Sequence, residues 1–174
     1  MTARDVAART DGRRRYHPTD YGQRPWQALL GFALARADTF ACALPYRVVR
    51  QDFIAARLPV PVLERFRDDI EERYAGLIRW GVLREEPTEF VTLRLSPELR
   101  RAIQQVRRLE EWSWEHGRPE DPTLLLGDAP ILETESVDGR VSLYATADEM
   151  ASLAASGVRL VEPLGVHAEP WPTP

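Results

Sequence analysis

The sequence predicts an α+β protein in which a helical body, residues 25–116, precedes a small strand–hairpin–helix–strand unit, residues 122–162. Two observations predict this division. Apolar residues between Val62 and Leu77 recur three or four positions apart, which is the period of a buried helix face. Further along, two segments of alternating polarity flank Asp138-Gly139, a dipeptide typical of tight β-hairpin turns.

The composition is typical of a globular chain without membrane segments. It has 174 residues, of which 44% are apolar and 29% charged, and such a chain can bury a sizeable core. No apolar run approaches the roughly 20 residues needed to cross a bilayer, and the N-terminus lacks the apolar segment of a secretory signal. Cys42 is the one cysteine, which fits a reducing compartment. We therefore expect a cytoplasmic protein with no membrane partner.

All 23 basic residues are arginine, and the chain contains neither lysine nor asparagine. Because lysine and asparagine codons are rich in A and T, we interpret this bias as that of a high-GC bacterial genome. The functional alternative is that arginine serves bidentate contacts to phosphate or carboxylate. The bias extends along the whole chain, which favours the genomic explanation.

Charge is unevenly distributed along the chain. Residues 1–50 carry nine arginines against four acids, a net +5, and residues 51–110 are neutral. Residues 111–174 carry three arginines against twelve acids, a net −9. Such a molecule could dock through complementary fields or associate head to tail. The simpler interpretation is a solvated basic arm and a solvated acidic unit.

The first elements follow from local signals. Residues 1–24 hold few apolar side chains and include three consecutive arginines, so they predict a mobile basic arm. Pro25 can open a helix, and apolar residues continue to Ala43, where we expect that helix to end. Residues 46–49 predict a short strand.

Two further helices are expected before the next strands. Residues 52–57 predict a short helix, which the prolines at 59 and 61 end. Pro61 can then begin a longer helix, and Gly81 is suited to its left-handed cap. The apolar stripe of that helix consists of Val62, Phe66, Ile70, Tyr74 and Leu77.

Two strands and a helix complete the body. Val82-Leu83 and residues 90–95 are strand-like, with an acidic turn at residues 85–89 between them. Ser96-Pro97 predicts a helix start, since a hydroxyl cap precedes a proline in the first turn. The expected buried side of this helix carries Leu99, Ile103, Val106 and Leu109.

A linker at residues 117–122 leads into the second unit. A two-residue turn at Asp138-Gly139 places Thr134 opposite Leu143. Thr146 and Glu149 match a capping box for a helix that stops near Gly157. That helix should bury Met150, Leu153 and Ala154. Residues 158–161 predict a closing strand, and the proline-rich residues 163–174 predict a loose tail.

Residues 46–106 resemble a winged helix-turn-helix domain in the order and spacing of their elements. The residues that carry the resemblance are Phe53, Ile54, Leu58, Val62, Phe66, Leu77, Gly81, Val82, Leu83, Val91, Leu93, Ser96, Pro97 and Glu98. The resemblance implies a third helix that enters the DNA major groove and a wing that contacts phosphates. The family also includes many members that contact only proteins.

The charges of this segment oppose the DNA function. Phosphate neutralisation supplies most of the affinity for DNA, yet the expected third helix and wing carry more acids than arginines. A protein partner is therefore favoured, and DNA remains the alternative. The candidate nucleic-acid contacts are Arg13, Arg14, Arg15, Arg65 and Arg67.

Catalytic motifs are sparse. No histidine pairs with another histidine or with Cys42 at metal-ligand spacing, and phosphate-loop and nucleophile motifs are missing, so we expect no metal and no cofactor. Trp112, Trp114 and His116 could line the pocket of a small enzyme. A packed helix end is the favoured interpretation of that cluster.

The outward face of the predicted hairpin offers a partner surface at Glu133, Glu135 and Tyr144. The leading hypothesis is a non-enzymatic bacterial protein that acts through protein contacts, as a regulatory or accessory subunit or an immunity-like inhibitor of a basic partner. A DNA-binding regulator and a small enzyme are the alternatives. Oligomeric state stays open.

Overall fold

The computed structural model describes residues 12–20, 22–44, 61–79, 82–113, 116–135 and 139–162. Its strands are β1 (Arg14–Pro18), β2 (Thr39–Leu44), β3 (Ile70–Arg79), β4 (Val82–Arg94), β5 (Glu120–Leu126), β6 (Ala129–Glu135), β7 (Arg140–Ala145) and β8 (Leu160–Val161). Its helices are α1 (Gln23–Leu34), α2 (Pro61–Arg65), α3 (Pro97–Gln104) and α4 (Ala147–Ala155). Short 3-10 turns lie at Arg67–Asp69 and Leu109–Glu111.

Within these residues, the eight strands form one sheet in the order β3-β4-β2-β5-β6-β7-β1-β8. Every pairing is antiparallel. β2 lies inside the sheet, where Phe40 is opposite Leu93 on β4 and Leu124 on β5. β1 pairs with β7 and β5 pairs with β2, so strands from before and after residues 117–122 belong to one sheet.

The helices α1, α3 and α4 pack against one face of the sheet. Trp26 is fully buried there, and its indole N–H donates to the carbonyl of Val106 at 3.2 Å. Apolar residues from the helices and from alternate strand positions share one core. Prominent members are Leu29, Leu30, Phe40, Val91, Leu93, Leu99, Ile103, Leu124, Leu132, Leu143 and Leu153.

The predicted winged-helix-like helical body is wrong as a description of the fold. Pro61 begins a helix as expected, but that helix ends at Arg65 and β3 begins at Ile70. The apolar spacing misled because Phe66, Ile70 and Tyr74 are four residues apart. A spacing of four suits a helix face, and as an even number it also suits one face of a strand. Pairing with β4, which Ile70 meets at Leu93, satisfies the backbone as a strand.

The predicted acidic turn at residues 85–89 is also wrong, since β4 runs through it. The pairing of β3 with β4 shifts register between Gly76 and Ile78, in the stretch opposite Pro87. A proline has no N–H to donate, so an irregularity of the ladder is expected beside it.

The first predicted helix is wrong in its length. α1 ends at Leu34, and Thr39–Leu44, which we expected to finish that helix, is the inner strand β2. Arg100 on α3 helps to end α1, because its guanidinium donates to the carbonyls of Leu34 and Ala37. Its Nε also donates to the carbonyl of Leu95 at 3.3 Å.

Both predicted helix starts with hydroxyl caps are confirmed. Ser96 Oγ accepts the backbone N–H of Leu99 at 3.3 Å. Thr146 and Glu149 form the complete capping box. Of the expected buried residues that follow these caps, Leu99, Ile103, Val106, Leu109 and Leu153 are buried, Met150 is half-buried and Ala154 is exposed.

The predicted hairpin exists with a different register. Thr134 lies opposite Val141 rather than Leu143, and part of the predicted turn at Asp138-Gly139 lies outside the described residues. The shift is two residues, so every side chain keeps its predicted face.

The expected short strand at 46–49, the helix at 52–57 and the cap at Gly81 lie outside the described residues, as do residues 1–11 and the tail from 163 onward.

Glu149 connects three parts of the sequence. Its carboxylate accepts the N–H of Thr146 at 2.9 Å, Nε of Arg36 at 2.8 Å and Nε of Arg13 at 3.4 Å. Burial works to raise the pKa of Glu149, but these hydrogen bonds outweigh it and the net pKa is lowered. The carboxylate thus joins the segment before β1 to α1 and α4.

We expect Glu149→Gln to lower the free energy of unfolding by about 1 kcal/mol at pH 7, as is typical for loss of a charge-assisted hydrogen bond. Because the folded-state pKa is lowered, the stabilisation is present above the unfolded-state value of 4.5 and is lost as the pH falls through the folded-state pKa. Urea unfolding from pH 3 to 7 measures this difference. Asp148→Asn, a substitution at an exposed position in the same helical turn, is the control. An equal loss in the free energy of unfolding for Asp148→Asn would contradict the prediction.

Two neighbouring arginines of α3 give a second comparison. Arg100→Ala should destabilise the protein by about 1.5–3 kcal/mol, because three carbonyls lose a charged donor. Arg101 is exposed, and its described ion pair is local, with Glu98 at 2.7 Å, so Arg101→Ala should change stability by less than about 0.5 kcal/mol. Similar losses for the two variants in thermal unfolding would disprove the bridging function of Arg100.

Candidate functional site: a polar row on the outer sheet face

The face of the sheet opposite the core carries small and polar side chains. Because side chains alternate along a strand, Ala41 points away from the core that Phe40 and Cys42 join. Ala41 lies opposite Thr92 on β4 and Thr123 on β5. Thr92, Thr123 and Ser142 are all buried, each less than 10% exposed. We call the polar row the outer-face residues Arg15, Thr92, Thr123, Glu133, Ser142 and Tyr144.

Arg15 and Ser142 form one half of the site. β1 pairs with β7 so that Arg15 is opposite Tyr144, next to Ser142. The Arg15 side chain donates twice to Ser142 Oγ, from Nε at 3.0 Å and from Nη2 at 2.8 Å. Two bonds to one buried oxygen fix the plane of the guanidinium, although Arg15 itself is exposed.

Glu133 and Tyr144 form the other half. Glu133 lies opposite Ser142 across β6 and β7, and its Oε2 accepts the Tyr144 hydroxyl at 2.6 Å. Burial raises the pKa of Glu133, while the bond from Tyr144 and the charge of Arg15 lower it by less. Burial and the adjacent Glu133 carboxylate raise the pKa of Tyr144, so its hydroxyl stays a donor at neutral pH.

Within the described residues, nothing in the cluster would activate Ser142 as a nucleophile. A serine nucleophile needs a base within hydrogen-bond reach of its hydroxyl, whereas the described partner of Ser142 Oγ is the Arg15 guanidinium, a donor. The described residues contain no group of three or more His, Cys, Asp or Glu placed to hold a metal ion. What the four side chains offer is a fixed cation, a fixed ring and a carboxylate.

Two of the three predicted partner residues come together here. Glu133 and Tyr144 share a hydrogen bond, and Glu135 pairs instead with Arg140 at 3.3 Å. The sequence did not single out Ser142 as a site residue and grouped Arg15 with the nucleic-acid contacts. The available signal was the alternation of Arg15, Tyr16 and His17, which is typical of a strand rather than of a loose arm.

The predicted nucleic-acid contacts are scattered. Arg13 pairs with Glu149 and Arg14 with Glu162 at 3.3 Å. Arg65 ends α2 with its guanidinium 5.1 Å from the ring of Phe66, and Arg67 lies in the following 3-10 turn, 3.7 Å from Asp68. The structure therefore does not gather these five residues on one helix or one surface.

The predicted aromatic pocket is divided between core and surface. Trp112 is buried with its ring 5.6 Å from that of Phe40, and its indole N–H has no described partner. His116 is exposed and bonds to Ser113 at 2.8 Å. Trp114 lies outside the described residues. An open pocket of about 320 Å³ lies nearby, lined by Gly22, Gln23, Arg108 and Glu110.

Comparison of the chain with known families, curated proteins and solved structures gives no match. These comparisons leave the resemblance to winged-helix proteins untested. No helix in the described part of the chain has the length and apolar character needed to span a bilayer.

Removing the charge at position 133 tests the electrostatics of the row. Because burial raises the pKa of Glu133 in the folded state, ionisation of this carboxyl is costlier in the folded protein than in the unfolded one. The cost is absent below the unfolded-state value of 4.5 and grows as the pH rises through the folded-state pKa. We expect Glu133→Gln to become progressively more stable than wild type between pH 4 and 7 in urea unfolding. Glu110→Gln, at an exposed position, controls for loss of one negative charge. If the difference in the free energy of unfolding between Glu133→Gln and wild type does not change with pH, the prediction is contradicted.

Proposed function

We propose that the protein is a non-catalytic cytoplasmic binding protein that holds a partner protein against the outer face of β1, β7 and β6. It would act there as an accessory, regulatory or inhibitory subunit. The observation that supports this most is Arg15, whose exposed guanidinium is held in place by Ser142 beside the ring of Tyr144.

The physical argument rests on preorganisation. Arginine and tyrosine are among the residues that most often dominate binding energy at protein interfaces. Immobilising a long side chain on binding costs about 0.5–1.5 kcal/mol. Arg15 and Tyr144 are already held by Ser142 and Glu133, so much of that cost is met before a partner arrives.

The two alternative functions have less support. Activation of a serine requires a base, and Ser142 instead faces a cation. DNA recognition through a third helix requires a long helix, and α2 spans only Pro61–Arg65. Binding to a protein requires neither a base beside Ser142 nor a long third helix.

Site-specific photo-crosslinking in the native host tests the proposal. A photo-reactive residue at Arg140, exposed at the end of β7, should capture one defined protein, and the same residue at Arg101 on α3 should not. The captured protein is then purified and its affinity for the chain is measured by calorimetry. Equal capture at both positions, or metabolite turnover by the chain alone, would refute the proposal.

With the purified partner, Tyr144→Ala should weaken binding at least tenfold, about 1.4 kcal/mol, because an ordered aromatic contact is lost. Tyr144→Phe removes only the hydroxyl and separates ring contact from the bond to Glu133. Arg101→Ala is the control and should change affinity less than twofold. Circular dichroism establishes that each variant is folded before its affinity is compared.

A further inference from the structure

We infer that the partner presents a carboxylate to Arg15, so that its contact surface is acidic at this point. The inference rests on the proposed function and names the chemistry of the partner. It is opposite to the basic partner that the net charge of −9 over residues 111–174 would predict.

Three acids of residues 111–174 that lie near β1, β6 and β7 are paired with arginines. Glu135 pairs with Arg140 at 3.3 Å, and Glu162 pairs with Arg14 at 3.3 Å. Glu149 is shared by Arg36 and Arg13. The regional net charge therefore overstates the negative field that a partner would meet at this face.

Arg15 is the arginine of the outer face that has no acidic partner among the described residues. Its two described bonds end on a neutral hydroxyl, and it makes no ion pair with any acid in the described parts of the chain. Glu133 is close enough for the charge of Arg15 to lower its pKa, against the larger effect of burial, but its described bond is to Tyr144. A guanidinium has five N–H donors, and among the described residues Nη1 and one N–H of Nη2 have no partner.

The remaining donors match a carboxylate. Nη1 and Nη2 share one plane, and that plane is fixed by the bonds to Ser142. A guanidinium edge held in this way accepts a carboxylate with two parallel hydrogen bonds, a geometry that lysine cannot supply. An aspartate or glutamate side chain on the partner is the group that fits.

Charge reversal at Arg15 tests the inference with the purified partner. Arg15→Glu should weaken binding at least 100-fold and Arg15→Gln about tenfold, and Arg15→Gln should also reduce the dependence of affinity on salt. Arg14→Gln, the matched control on the opposite face of β1, should change affinity less than twofold. Replacing the contacting acid of the partner with arginine should restore binding to Arg15→Glu at least tenfold.

The outcomes separate the inference from the proposed function. Unchanged or tighter binding by Arg15→Glu overturns the inference, because a basic partner surface would gain from the substitution. If Tyr144→Ala weakens binding while both Arg15 variants bind normally, the proposed function stands and the carboxylate inference fails. If no variant of this face changes binding, both fail. If Arg15→Glu does not fold, Arg15→Gln tests the inference instead: unchanged affinity and unchanged salt dependence of binding would overturn it.

Discussion

The pairing of β2 with β4 on one side and with β5 on the other determines where the core forms and which side chains lie on the outer face of the sheet. Phe40 meets Leu93 and Leu124, residues that lie far from it and from each other in the sequence. Their side chains share the core beneath α1, and burial of that apolar surface offsets the entropy of closing two long loops. Because Phe40 faces the helices, Ala41, Thr92 and Thr123 must face away from them. The position of the polar row is therefore a consequence of core packing.

β1 adds the remaining half of the site through its register. Tyr16 is buried in the core opposite Leu143, and this contact forces Arg15 onto the outer face beside Ser142. A slip of one residue would bury the arginine and expose the tyrosine, so the register is strongly specified. Arg13, just before the strand, reaches Glu149 at the start of α4. The same pairing thus orders the outer face and connects β1 to the helical layer.

The elements that could be predicted from the sequence are those with a local cause. Ser96 and Thr146 cap helices through bonds to residues three positions later, and the faces of β6 and β7 follow from alternation. β3 could not be predicted in this way, because spacings of four fit a helix and a strand equally well and the choice is made by β4. The candidate site shows the same division: Glu133 and Tyr144 belong to one hairpin, so the sequence could place them on one face, whereas Arg15 and Ser142 meet only through a long-range pairing.

Charge shows most clearly why a segment-by-segment interpretation of the sequence fails. The basic N-terminal segment and the acidic C-terminal segment are adjacent in the fold, so Arg13 and Arg14 neutralise Glu149 and Glu162 instead of extending toward a nucleic acid. Arg15, between Arg14 and the buried Tyr16, faces the other side of the strand, where its described partner is a hydroxyl. Alternation along β1 therefore separates Arg14, which pairs with Glu162, from Arg15, which has no acidic partner among the described residues. The charge that Arg15 brings to the outer face is then set by the pairing register of β1 and is opposite in sign to the net charge of the C-terminal segment.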